Sequence, residues 1–380
     1  MQISCPICQA TAGILHELAF PPKLHLPQQT SICVCEDCDF AFSSPRDAAS
    51  YLEYYRTNLN DKLGADLHLS AAELQRYHGQ MEVLQPLLQQ PRSLRILDVG
   101  CGQAGLLRTV CEHYPHHSFF AVDPNLSPEQ MASGAFSVST NWKDLQGSFD
   151  LIILSHVIEH VVNFDEIALL SQRLSPSGQM YIEVPDASRY GCHPRREFLY
   201  YFDRLHINHF SGKALRTLVR QWGLATVAAG RSTFEYKDTM PFPAQYIMAS
   251  RSETPTLPDL QAAPVLHVLK DYLSAEIARA GCTRGKLTDR SPIVVYGFGD
   301  NFHRSVAIGG PLEGVPIAAI IDMRHSVLNE SDYAGRYRFM DIDSCCEEFP
   351  DAAYVVTVSW GHQEVSSELR KRSILNIEII

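Results

Sequence analysis

No stretch of the chain approaches the ~18 to 20 consecutive apolar residues that a membrane-spanning helix requires, and the opening Met1-Gln-Ile-Ser-Cys-Pro-Ile-Cys8 has no charged segment leading into an apolar one. A soluble, cytoplasmic protein with no membrane partner is expected. Basic charge is scarce too: 32 Lys and Arg stand against 43 Asp and Glu, a net charge of -11. That balance disfavours non-specific attraction to nucleic acid, so no nucleic-acid partner is expected. Repeats of 20 to 50 residues and low-complexity tracts are missing, which excludes a solenoid. What is there is the composition of a folded globular protein: 45% hydrophobic, 20% charged and 9% aromatic over 380 residues, enough for two or three domains.

Cysteine is unevenly spread. Five of the eleven, Cys5, Cys8, Cys33, Cys35 and Cys38, crowd the first tenth of the chain. An odd number in a chain with a large core is no disulfide framework, and clustered pairs read as metal ligands. Two C-x-x-C knuckles, Cys5/Cys8 and Cys35/Cys38, each present two sulfurs to one ion. Four thiolates at about 2.3 Å close a tetrahedral zinc site with no open position, which makes the site structural. Cys33, two residues before Cys35 on a strand, either substitutes as a ligand or packs as a small hydrophobe. Between the pairs, Phe20-Pro-Pro-Lys-Leu-His-Leu-Pro27 breaks regular structure, and Lys23 is the only base there, too few for a nucleic-acid surface.

Past this module, Ser70-Ala-Ala-Glu73 is a capping box opening an amphipathic helix through Leu74, Tyr77, Met81, Leu84, Leu87 and Leu88. Short apolar strands then alternate with helix-like segments: Arg95-Ile-Leu-Asp-Val-Gly100, Phe119-Phe-Ala-Val-Asp123, Phe149-Asp-Leu-Ile-Ile-Leu154 and Gln179-Met-Tyr-Ile-Glu-Val184. The pattern predicts an α/β fold with an open, mostly parallel sheet. Arg251-Ser-Glu-Thr-Pro-Thr-Leu-Pro258 reads as a linker, followed by a helix through Val265, Leu269 and Leu273. Strands at Ile293, Pro316, Ala353 and Ile374 then suggest a compact Rossmann-like unit. Three domains are expected: 1–69, 70–250 and 251–380. His113-Tyr-Pro-His-His117 reads as a solvated loop, and Cys345-Cys346 as vicinal strand residues pointing apart.

The strongest chemical signal is Ile96-Leu-Asp-Val-Gly-Cys-Gly-Gln-Ala-Gly-Leu-Leu107, a strand, a glycine-rich turn and a helix start, with Asp123 ending the next strand. It resembles motif I of class I S-adenosylmethionine (SAM)-dependent methyltransferases, whose Asp-x-Gly-x-Gly-x-Gly is matched by Asp98, Gly100 and Gly102, with Ala104 at the third glycine. Ala121-Val-Asp-Pro124 resembles the ribose-binding strand end, Gly147 to Val161 the fourth-strand signature, and Leu174 to Pro185 the turn into strand five. The resemblance implies that Asp98, Gly100, Cys101 and Gly102 line the methionine end of the cofactor. It also implies Asp123 at the ribose, Asn141 and Trp142 at the adenine, and Ser155 at the tip of the fourth strand. Trp142 is read equally well as core.

The order of cysteine module, methyltransferase domain and C-terminal Rossmann-like domain resembles the sugar C-methyltransferases that act on nucleotide-linked keto sugars. Gln9 and Asp39 stand where that family has glycine after each cysteine pair. Tyr296-Gly-Phe-Gly-Asp300 and Ala319-Ile-Ile-Asp322 resemble its C-terminal glycine turn and acidic strand end. The family's Tyr-x-Glu-His before Phe-Ser aligns with Asp203-Arg-Leu-His206, ahead of Phe210-Ser211, so the histidine is kept and its tyrosine and glutamate are replaced. Enolate formation beside a ketone needs a base, and the resemblance makes His206 the leading candidate, then His209 and His160. Tyr54 and Tyr55 are read as substrate-facing or as core. A histidine in the same place deprotonates a hydroxyl in simpler O-methyltransferases, so oxygen methylation is the alternative, and a catalytically degenerate binding protein the second. The cofactors implied are SAM and structural zinc, with a small-molecule partner that a nucleotide sugar would fit.

Overall fold

A computed structural model describes residues 3–20, 26–58, 69–124, 136–236, 240–251, 263–290, 292–331, 333–358 and 361–380. Lys23 and most of the linker segment from 251 to 258 lie outside the described residues.

The cysteine knuckles fold on an antiparallel sheet of Ile3–Ser4, Thr11–Ala19, Gln29–Cys35 and Phe40–Ser44. Its fifth strand, Asn208–Phe210, comes from the middle of the chain and pairs antiparallel with Phe40–Ser44. Three residues are too few to show the period-two alternation that announces a strand. The pairing is held by packing instead, with the Phe40 and Phe210 rings 5.0 Å apart between centroids.

The central sheet holds β1 (Arg95–Val99), β2 (Ser118–Val122), β3 (Ser137–Ser139), β4 (Phe149–Ser155), β5 (Leu174–Pro185), β6 (Ala225–Tyr236) and β7 (Met240–Ser250). Their order is β6-β7-β5-β4-β1-β2-β3. The first five are parallel, and β7 runs antiparallel to both β5 and β6. β4 carries an unbroken apolar run, Leu151–Leu154, and β1 and β5 shorter ones, Ile96-Leu97 and Met180–Ile182, because both faces are covered. Successive residues point to opposite sides: Ile96 packs with Leu84, Leu107 and Val110, whereas Leu97 packs with Leu170, Leu215 and Leu218. The first side is closed by helices Ala71–Leu88 and Gly105–His113, the second by Asp165–Ser171 and Gly212–Gln221. Ser70 caps the leading helix, with the Glu73 side chain returning to the Ser70 backbone as the capping box predicts.

His117 departs from its solvated-loop reading. It is buried, its Nε2 lies 2.9 Å from the Leu88 carbonyl, and its Nδ1 accepts from the Leu94 N–H at 3.2 Å. The ring joins the end of the leading helix to the start of β1.

After the helix Val265–Thr288, five parallel strands follow in the order Phe339–Met340, Ile317–Ile321, Ile293–Tyr296, Ala353–Val356, Ile377–Ile379. Cys345 and Cys346 sit in a helix, Ile342–Glu348, not on a strand, and both are buried. Arg304 ties this unit to the central one, donating to Glu197 Oε2 at 2.7 Å and to the Phe198 carbonyl at 3.0 Å. Among the described residues no helix is long and apolar enough to cross a membrane.

Candidate active site

The turn after β1 follows a left-handed path that its sequence permits. Gly100 and Gly102 have φ of 73° and 53°, and Ala104, at the family's third glycine, adopts φ 57° as the residue before the helix Gly105–His113. The path brings the backbone against β2: Gly100 N–H donates to the Val122 carbonyl at 2.7 Å, and Gly102 N–H to Asp123 Oδ2 at 3.0 Å. A Cβ on Gly102 would enter open space, whereas one on Gly100 would meet Val157 at 2.6 Å. Asp98 is buried at the tip of β1. Burial, then the charge of Asp123, pushes its carboxyl up to about 7 against the opposing pull of Arg76. Cys101 is half-buried in the same turn. Asn141 spends its side-chain oxygen on the Lys143 N–H at 3.0 Å, and Trp142 is half-buried against the core.

Ser155 ends β4 under two side chains that the sequence reading missed. Arg76 Nη2 and Gln80 Nε2 donate to its Oγ at 3.0 and 2.9 Å. Gln80 also reaches Glu183 Oε1 at 2.5 Å, and Tyr181 donates to Glu183 Oε2 at 2.7 Å. The signal was there: positions 76 and 80 share one face of the leading helix, and Gln80 lies on its buried side. His156 (φ 55°) sits between two buried acids, Nδ1 3.0 Å from Glu159 Oε1 and Nε2 3.3 Å from Glu183 Oε1. Although burial opposes it, the pull of these acids leaves the His156 pKa raised.

Beyond this, the turn Ile158–His160 meets the segment before Asn208–Phe210. His160 and His206 have ring centroids 4.9 Å apart, and Glu159, His160 and His206 each offer a ligand atom within 4.8 Å of the others. A carboxylate thus stands beside His206 even though Leu205 replaces the family's glutamate. Burial, then His160, lowers the His206 pKa to about 4. His209 is apart from this group: fully buried, Nδ1 3.2 Å from the Tyr190 hydroxyl, its ring edge-on to Phe202. Tyr55 lies edge-on to His160, at 6.0 Å, and Tyr54 is buried beside it.

The Cys5, Cys8, Cys35 and Cys38 sulfurs all lie within 4.8 Å of one another, with Cys5 to Cys38 at 3.5 Å and Cys8 to Cys35 at 3.4 Å. This set can hold a tetrahedral zinc ion. Cys33 turns its thiol to the Ser31 carbonyl at 3.7 Å instead. Gln9 and Asp39 both take positive φ, 63° and 58°, which explains the glycine that the family uses there. Asp39 has a second task, since its Oδ1 accepts from Val265 N–H at the start of the helix Val265–Thr288.

The family model described as a methyltransferase domain matches residues 72–229. No curated protein sequence matches the chain. Solved structures with a similar fold include coclaurine N-methyltransferase bound to N-methylheliamine and S-adenosylhomocysteine, 13% identical, covering 53% of this chain and 78% of that one, TM-score 0.37. A SAM-dependent methyltransferase from Archaeoglobus fulgidus is 19% identical, with 47% and 94% covered and a TM-score of 0.35. Magnesium protoporphyrin IX methyltransferase from Synechocystis, with bound S-adenosylhomocysteine, is 13% identical, with 54% and 100% covered and a TM-score of 0.39. With the family model lying over the glycine turn and the sheet built around it, residues 72–229 of this chain carry a SAM-dependent methyltransferase domain.

Proposed function

We propose that the chain methylates a small metabolite presented by a nucleotide, a keto sugar whose enolate carbon takes the methyl group, and that Glu159, His160 and His206 form the centre that activates the acceptor. The observation that carries this reading is the meeting of those three side chains just past β4, the strand that pairs with β1 beneath the Asp98 turn and ends at Ser155. SAM supplies a sulfonium methyl, already a strong electrophile, so the protein has to align donor and acceptor and remove one proton. In this reading Asp98, Gly100, Cys101 and Gly102 hold the methionine end, Asp123 the ribose and Ser155 the strand tip, with Asn141 and Trp142 toward the adenine. The open space over Gly102 and the buried carboxyl of Asp98, which a neighbouring cation would ionise, fit the ammonium of the methionine end. His209 is assigned to packing. Zinc on Cys5, Cys8, Cys35 and Cys38 holds the first of three domains, divided at about residues 69 and 250.

The test is calorimetric titration of the S-adenosylhomocysteine complex with thymidine diphosphate. Micromolar binding is expected. Its absence would shift the acceptor to a hydroxyl on a free metabolite, a second reading favoured by Asp203 and Leu205 in place of the family's tyrosine and glutamate. Under either reading, His206→Ala is expected to keep cofactor affinity and lose turnover, and near-normal turnover removes His206 from the mechanism.

A further inference from the structure

The acceptor centre has the donor set of a metal site. We propose that Glu159, His160 and His206 bind a divalent first-row transition-metal ion whose remaining positions take the oxygen of the methyl acceptor. The inference rests on the reading of this cleft as the acceptor site and gives His206 its means of action there.

Four observations converge. One ligand atom from each residue lies within 4.8 Å of the other two, a spread that small side-chain rotations close to the bond lengths of such an ion. Glu159 is fully buried: its Oε1 has the ion pair to His156, and its Oε2 has no hydrogen-bond partner among the described residues. A buried carboxylate oxygen without a donor is costly unless a cation meets it. His160 Nδ1 lies 3.0 Å from the Leu205 carbonyl. A carbonyl only accepts, so Nδ1 carries the proton and Nε2 keeps its lone pair free, the anchoring that metal-bound imidazoles show. Finally, the two backbone segments that carry the ligands are pinned together, with Asn208 Nδ2 donating to the Ile158 and Val161 carbonyls at 2.7 Å each. The chemistry of the set selects the ion. Two imidazoles with one carboxylate suit zinc, iron, cobalt or manganese and not magnesium or calcium, which prefer oxygen throughout. Three protein ligands leave the open positions that a catalytic site needs.

An ion at this position acts as a Lewis acid. A hydroxyl bound to it loses its proton to water. The resulting alkoxide forms the new C–O bond as the C–S bond of the sulfonium breaks, its electron pair staying on sulfur to give the neutral thioether. A keto acceptor binds the ion through its carbonyl oxygen, its α-proton passes to water, and the enolate carbon forms the new C–C bond as the C–S bond of the sulfonium breaks.

The experiment is to produce the full chain in cobalt-supplemented medium and to measure its metal content, its visible spectrum and its S-adenosylhomocysteine affinity. Expected is one equivalent with intense thiolate-to-cobalt charge transfer from the cysteines, and a second with weak ligand-field bands only. Glu159→Gln and, separately, the less buried His206→Ala should each lose the second equivalent while retaining the thiolate bands and cofactor affinity within about twofold. A wild-type chain holding only the thiolate-bound equivalent, or both variants retaining the second, overturns the inference. If the ion is absent and His206→Ala still loses turnover, the metal falls and the acceptor-centre reading stands. If the second ion is present and His206→Ala loses it without losing turnover, the acceptor-centre reading falls, and with it the ion's part in activating the acceptor.

Discussion

The Asp98 carboxyl is pushed up to about 7 because burial and the nearby Asp123 both penalise the carboxylate, against the opposing charge of Arg76. The sign is opposite to that of a salt-bridged acid. Its folded pKa lies above its unfolded value, so without cofactor it lends stability below the unfolded value that is lost as pH rises toward 7. The ammonium at the cofactor's methionine end, which S-adenosylhomocysteine shares with SAM, reverses the preference and expels the proton. Affinity for S-adenosylhomocysteine is therefore expected to fall by about tenfold per pH unit on acidification below the Asp98 pKa. Asp98→Asn should bind weakly with that slope gone, and calorimetry from pH 5 to 8 checks both. Gln9 makes a separate case. Its left-handed backbone costs an ordinary side chain about 1 kcal/mol or slightly more, part of which glycine returns as lost unfolded-state order. Gln9→Gly should stabilise the protein by about 0.5 kcal/mol in urea unfolding, whereas Asp39→Gly should not, because it also removes the cap on Val265.

At the scale of elements, two glycines three residues apart separate packing from binding. A Cβ on Gly105 would lie 2.5 Å from the Tyr77 ring, so that ring of the leading helix packs directly over the glycine. Gly105→Ala is expected to cost about 1 to 3 kcal/mol by displacing the Tyr77 ring. Gly102→Ala, with open space at its Cβ but φ of 53°, should stay folded and lose cofactor affinity. Thermal unfolding with and without S-adenosylhomocysteine distinguishes them. The same elements show what the sequence made legible. β1, β2, β4 and β5 each contain a short apolar run because helices cover both faces of the sheet, and each appears where such a run occurs. The β6–β7 hairpin was hidden: Pro241, Pro243 and Gly230 break its pattern, yet the glycine is where the Tyr246 ring crosses the backbone. β3 and Asn208–Phe210, at three residues each, carry no period to read. The glycine turn was legible because glycine constrains backbone locally, whereas Glu159 as a neighbour of His206 was not, since 47 positions separate them and only the fold joins them.

Over the whole molecule, the proposed acceptor centre is braced by a residue of the N-terminal cysteine segment. Arg46 follows the strand Phe40–Ser44 and reaches across to both segments that carry the centre. Its Nη2 donates to the Val161 and Val162 carbonyls at 2.9 and 2.8 Å, and its Nη1 to Asn208 Oδ1 at 2.7 Å and the Ile207 carbonyl at 3.3 Å. Burial lowers the Arg46 pKa to about 10, so it stays charged at neutral pH. A planar fork of donors is what lets one side chain satisfy four acceptors at once, and a lysine ammonium cannot span them. The turn of His160 and the loop of His206 are therefore tied to the N-terminal sheet, while the glycine turn is built from β1, β2 and the helix Gly105–His113. Arg46→Lys is expected to lower turnover at least about tenfold, since misplacing reacting groups by a fraction of an ångström is that costly. It should leave S-adenosylhomocysteine affinity within about twofold. A normal turnover in Arg46→Lys would mean that the central domain sets its own acceptor geometry, and an equal loss of both would mean that the cysteine module supports the whole domain and not the acceptor side alone.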